Sequence, residues 1–144
     1  MFLVVPCLIK ENELKELIGK RVEAVWVSPD RWFLTFTTAQ GNVSYITDAD
    51  CCSDTWFADI LGMDNLLGEE VLGAEELDLP GDCVEDGRSR QDCDRVYGWQ
   101  LATQKGKTEI MFRNSSNGYY GGRIALYTGE LPEDMQEIRS DWRA

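Results

Sequence analysis

The sequence predicts a single α+β domain over residues 1–144, mainly antiparallel sheet of about six or seven strands with one or two short helices packed on it. Runs in which apolar and polar residues alternate recur between turn-formers, the period-2 pattern of half-buried strands. Only two short stretches place apolar residues at helical spacing. Composition adds the third observation: 144 residues with 43% hydrophobic and 28% charged side chains can bury a real core, and such a chain is neither disordered nor fibrous.

Taken in order, ENELKELI (11–18) sets Leu14, Leu17 and Ile18 on one helical face, with acids in the first turn and Gly19 as a stop, so a short amphipathic helix is predicted. From Arg21, RVEAVWVS alternates as far as the turn at Ser28-Pro29-Asp30; RWFLTFTT alternates again, and Ala39-Gln40-Gly41-Asn42 turns into VSYITD. These three runs form an antiparallel meander. Residues 50–55 read as a loop leading to a helix N-terminus, where Ser53 or Asp54 caps the first free amides of a helix from Trp56 to Leu61 that Gly62 ends. A short turn over 64–67 leads through Gly68 into a mixed strand over 71–79. The segment from about 80 to 93, PGDCVEDGRSRQDC, is poor in apolar residues and rich in turn-formers, and reads as a flexible acidic loop. Residues 96–104 and 108–113 then alternate around the hairpin turn Gln104-Lys105-Gly106-Lys107, Arg123 to Thr128 is the last strand, and about 129–144 is a polar tail. GKRVEAVWV and GEEVLGAEELDL both open a strand group after a glycine, which suggests two similar halves.

Charge narrows the function classes. The formal charge is −12, and between Asp48 and Asp94 there are 15 acids against two bases, Arg88 and Arg90. A protein that held a duplex or a bilayer through phosphate attraction would carry the opposite sign, so neither direct nucleic-acid binding nor membrane binding is expected. The surface suits a basic protein partner, including one that normally holds nucleic acid. Glu69, Glu70, Glu75, Glu76, Asp82, Glu85 and Asp86 are the candidate contact residues, with Trp142 an aromatic in a charged tail that either clamps the terminus down or faces a partner. The pairs Glu69-Glu70, Glu75-Glu76 and Glu85-Asp86 could in principle form a carboxylate dyad or hold a hard cation, and Asp82, Asp86, Asp92 and Asp94 lie on a loop that could wrap one, but neighbours in a strand point to opposite faces, and the loop spacing does not match a calcium loop. A solvated acidic face is the stronger reading.

Catalytic chemistry has few openings. There is no histidine, which removes the commonest general base and zinc ligand. The five cysteines are an odd number, and the adjacent Cys51 and Cys52 make a poor disulfide framework, so reduced thiols in a cytoplasmic protein are expected. A helix N-terminus could activate Cys51 or Cys52, yet Asp48, Asp50 and Asp54 oppose a thiolate, and small buried hydrophobes are the simpler role. No apolar run approaches the roughly 18 residues that span a bilayer. The apolar start MFLVVPCLI lacks a basic opening and a cleavage site, and is read as folded structure. No metal, no cofactor and no catalytic residue is assigned.

The segment RNSSNGYYGG is the best-defined local site candidate. Asn117-Gly118 is a strong turn dipeptide, Gly121-Gly122 permits positive φ, and Asn114, Ser115 and Ser116 can bond local backbone. Two residues suffice for a hairpin, so a longer loop holding Tyr119 and Tyr120 exceeds what a turn needs. Either the tyrosines cover the core edge, or one stacks on a base while Arg113 and Arg123 reach phosphate.

The blocks DCCSDTWF (CCS-x-x-W) and FRNSSNGYYGG, with GKRV opening the meander and VYGW opening the later strands, resemble a family of small uncharacterised proteins of bacteriophages and prophages. The resemblance covers most of 19–122 outside the acidic loop and carries no assigned activity, so it transfers no catalytic residue. It implies a phage accessory protein inside a bacterial cell. Two functions follow as expectations: non-catalytic inhibition of a host antiviral-defence or nucleic-acid-handling protein through the acidic surface, or sequestration of a nucleotide-derived signal through residues 113–123.

Overall fold

The computed structural model describes residues 13–49, 54–79, 93–116 and 122–143. Ten strands occur in order: β1 (Val22–Val27), β2 (Phe33–Thr38), β3 (Gly41–Ala49), β4 (Asp54–Leu61), β5 (Gly73–Glu76), β6 (Cys93–Ala102), β7 (Lys107–Ser116), β8 (Gly122–Tyr127), β9 (Gln136–Ile138) and β10 (Trp142–Arg143). They build two five-stranded antiparallel sheets, β8-β3-β2-β1-β9 and β10-β4-β7-β6-β5. The predicted α+β class is thereby corrected to an almost wholly antiparallel β fold with more strands than the six or seven expected. Among the described residues the only helical elements are two 3-10 turns, Glu13–Leu17 and Met63–Asn65.

Both predicted helices fail for physical reasons. Leu14 and Leu17 are fully buried, whereas Ile18 is 44% exposed. Residues three apart eclipse in a 3-10 turn, so two leucines complete its apolar face and the next residue leaves it. The second predicted helix, Trp56–Leu61, lies within β4. Its pairing with β7 shifts between Phe57 and Asp59, and Phe57 and Ala58 are both buried, as a bulge requires. That extra residue breaks the alternation and leaves Phe57, Ile60 and Leu61 at a spacing that mimics a helix face. The predicted helix over Trp56–Leu61 is therefore replaced by strand, and with it goes the helix N-terminus that was to activate a thiol; Cys51, Cys52 and Ser53 themselves lie outside the described residues.

The two similar halves appear in the hydrogen bonding. Gly19 N–H donates to Val71 O (2.8 Å), and Gly68 N–H donates to Val22 O (2.7 Å); Val22 N–H donates to Glu69 O (3.0 Å), and Val71 N–H to Lys20 O (2.9 Å). Each bond of one half has its counterpart in the other. Leu14, Leu17 and Val22 of the first half and Met63, Leu66 and Val71 of the second are all fully buried, while Gly19 and Gly68 hold φ of 86° and 82°. Registers match as well: Val25, Trp26 and Val27 pair with Phe36, Thr35 and Leu34 as Ala74, Glu75 and Glu76 pair with Leu101, Gln100 and Trp99. Both hairpins are braced by a threonine hydroxyl that accepts from a turn amide, Thr38 from Gln40 N–H (3.1 Å) and Thr103 from Lys105 N–H (3.2 Å).

The halves also exchange a strand. β4 follows β3 in the chain but pairs with β7, and β8 follows β7 but pairs with β3. Inner faces of the two sheets meet in one core, with Leu34, Phe36, Tyr45 and Ile124 from one and Phe57, Trp99, Ile110 and Phe112 from the other. The polar tail is not idle. It adds β9 to β1 and β10 to β4, and between them the Asp141 carboxylate accepts hydrogen bonds from Gly62 N–H (2.9 Å) and Met63 N–H (3.0 Å).

Two stability measurements by urea denaturation test this account. Gly19→Ala meets open space and pays only for its positive φ, about 1–2 kcal/mol, whereas Gly62→Ala places a Cβ 2.5 Å from Lys107 O and costs clearly more. Asp141→Ala leaves the amides of the second 3-10 turn without their acceptor and lowers stability by about 1 kcal/mol, while Asp141→Asn retains most of it.

Candidate functional site

Two regions of the sequence were expected to carry function, and the fold places them differently. The acidic candidates gather at one margin of the second sheet. Among the described strands β5 is the last on that side, paired only with β6, and carries Glu75 and Glu76, both exposed; Asp78, just beyond it, is exposed as well. Glu69 and Glu70 lead into β5 through the segment that pairs with the first half. Glu69 is partly buried and lies 3.7 Å from the Lys105 ammonium, whereas Glu70 is exposed. Alternation points Glu75 and Glu76 to opposite faces, so they spread charge over the edge and do not converge as an acid–base pair. Asp82, Glu85 and Asp86 lie outside the described residues. Trp142 stands apart from this margin: it pairs with Ile60 across β10 and β4, half-buried against the core.

The flanks of the tyrosine-bearing segment do not aim at one point. Arg113, Asn114, Ser115 and Ser116 belong to β7, in the second sheet, and Arg123 to β8, in the first. Arg113 sits with its guanidinium carbon 5.9 Å from the centre of the Trp56 ring on the outer face. Asn114 points the other way and is fully buried; its Nδ2 donates to Thr55 Oγ1 at 2.9 Å, and its Oδ1 has no hydrogen-bond partner among the described residues. Arg123 is ion-paired through Nε with Asp48 at 2.9 Å. Asn117, Gly118, Tyr119 and Tyr120 lie outside the described residues.

A cleft of about 210 Å³ escaped the sequence reading. It opens on the outer face of the first sheet, between Trp26, Thr35, Thr37 and Asn42 and the tail residues Leu131, Pro132 and Met135. Trp26 Nε1–H donates to Thr37 Oγ1 at 3.1 Å, and the Thr35 and Ser44 hydroxyls bond each other at 2.9 Å. Alternation puts Trp26, Thr35 and Thr37 on one face in the sequence itself. What no local pattern shows is the tail crossing over them. The lining holds no titratable side chain, so it offers nothing to acid–base chemistry. Among the described residues no three acidic or cysteine side chains gather closely enough to hold a metal ion, and no helix is long and apolar enough to cross a membrane.

The chain belongs to the family described as a domain of unknown function, DUF7448, whose model matches residues 15–126. It is also similar to the uncharacterised protein L278 of Acanthamoeba polyphaga mimivirus, with 31% identity over 86 residues. That match takes in 56% of this chain and 64% of the viral protein, so the chain spans somewhat under two thirds of that relative's length. No solved structure matches the chain. The matched span includes both reciprocal crossing segments and strands β1 to β7 with most of β8.

The buried Thr55–Asn114 pair provides a check on whether Asn114 is held by the fold. Thr55→Val removes the carboxamide's partner and costs about 1–3 kcal/mol in urea denaturation; replacing both, as Thr55→Val with Asn114→Leu, recovers part of that loss.

Proposed function

We propose that this protein is a non-catalytic viral accessory protein whose acidic margin, centred on β5, docks on a basic surface of a host protein and blocks it. The observation that carries the reading is the line of exposed carboxylates, Glu70, Glu75, Glu76 and Asp78, in and beside β5, the outermost described strand of its sheet, with Glu69 alone of the described acids there matched to a lysine. A margin of this kind repels itself and attracts a cationic surface, which speeds encounter and selects partners by charge. The mimivirus relative supports a viral setting, and the DCCSDTWF and FRNSSNGYYGG blocks favour the bacteriophage kind, acting in the cytoplasm of a bacterial host on an antiviral-defence or nucleic-acid-handling protein. Capture of a nucleotide-derived signal by residues 113–123 has less support, because Arg113, Asn114 and Arg123 are directed to three different places.

Affinity capture from infected host lysate, followed by salt titration of each captured complex, tests the proposal. Raising ionic strength from about 0.05 to 0.3 M weakens the complex about tenfold or more, and Glu75→Lys with Glu76→Lys weakens it similarly without lowering the melting temperature. Binding that ignores both salt and charge reversal would remove the basis of this reading.

A further inference from the structure

Among the described residues, one half of the duplicated architecture carries a strand that the other lacks. In the first half β1 lies between β2 and β9, and β9 sets Gln136, Glu137 and Ile138 against Val27, Trp26 and Val25. In the second half β5 occupies the place of β1, with the same register on its neighbour, yet no described strand lies beyond it. Hydrogen bonding makes the correspondence specific. Ser28 N–H donates to Phe33 O at 3.1 Å just past β1, and Leu77 N–H donates to Gly98 O at 2.8 Å just past β5. In an antiparallel pair the bonded positions alternate, so the N–H and C=O groups of Val25 and Val27 turn toward β9. By the same alternation those of Ala74 and Glu76 turn away from β6, toward the side on which no described strand lies. Open edges of this kind are templates for an added strand.

From this geometry we infer that the β5 edge is a strand-addition site for an extended basic segment of a partner protein. The inference rests on the acidic-docking reading above and adds to it a backbone mode and a side-chain order. Running antiparallel to β5 as β9 runs to β1, the incoming segment presents three successive residues to Glu76, Glu75 and Ala74. Glu75 and Glu76 are exposed, so the first two of the three are lysine or arginine. Ala74 packs against the core, where its counterpart Val25 meets Ile138, so the third is a branched apolar residue that extends the core. The order read from N- to C-terminus is basic, basic, apolar. The acids also disfavour a second copy of this chain as the occupant, since two such strands side by side would oppose like charges.

The test uses the full chain and three synthetic nine-residue peptides with capped ends. One carries Lys-Arg-Ile at its centre in an otherwise neutral sequence. Another is identical but N-methylated at the central Lys and Ile, the two amides that would donate to β5. The third has the same composition with the triplet reversed. Binding is followed by fluorescence anisotropy, and amide hydrogen exchange reports on residues 72–78. The expected result is that the first peptide binds at least tenfold more tightly than either control and slows exchange at the Ala74 and Glu76 amides. Glu75→Gln with Glu76→Gln weakens it about tenfold at an unchanged melting temperature. If the N-methylated peptide binds within twofold of the first and the two amides stay unprotected, strand addition is wrong while acidic docking stands. If none of the peptides binds even at low salt, both fall.

Discussion

Two short backbone segments, 18–22 and 67–71, hold each other through four reciprocal hydrogen bonds of 2.7–3.0 Å, and the rest of the architecture is arranged around that contact. Each segment ends a 3-10 turn, passes through a glycine with positive φ, and delivers a fully buried valine to the core. The glycines matter because a side chain disfavours that backbone region, and without the bend neither segment could turn from its helical turn into a strand. Once the two crossings are joined, β1 and β5 start from matched positions, and each meander builds away from the contact in the same register. Leu14, Leu17, Met63 and Leu66 close the core beneath it.

Exchange of β4 and β8 makes the two sheets mutually dependent. Neither meander completes its own sheet, because each takes its fourth strand from the sequence that follows the other. The tail then breaks the equivalence. It covers the β1 edge with β9, crosses between the sheets where Asp141 holds the amides of Gly62 and Met63, and ends beside β4. Divergence in chemistry follows divergence in surroundings. Positions that are Val25, Trp26 and Val27 where a strand covers them are Ala74, Glu75 and Glu76 where none of the described strands does. A short edge strand with charged side chains discourages random pairing.

The same geometry bears on chemistry at the candidate sites. Period-2 alternation separates neighbours, so Arg113 lies over Trp56 while Asn114 turns inward to Thr55, and Glu75 and Glu76 take opposite faces. Binding through an edge or a broad face is compatible with this arrangement; convergent acid–base chemistry needs side chains that meet. The cleft beneath Leu131, Pro132 and Met135 has shape but no ionisable group, and it is enclosed by residues far apart in the chain.

The amino-acid sequence by itself determined the local features whose causes are local. Alternation gave β1, β2, β3, β6, β7 and β8, glycine and polar dipeptides gave the turns between them, and the repeated glycine-led openings gave the two halves. Charge gave the acidic margin without geometry. Where the sequence misled, long-range pairing had overridden local spacing: the bulge at Ala58 made Trp56–Leu61 read as a helix, and tail segments with little apolar content became strands because neighbouring edges supplied their hydrogen bonds. Only the tertiary structure decided that β4 and β8 change sheets, that Trp142 packs on the core, and that β5 is the outermost of the described strands in its sheet. No local pattern encodes these outcomes, because each depends on which backbone groups remain unpaired after the two halves have joined.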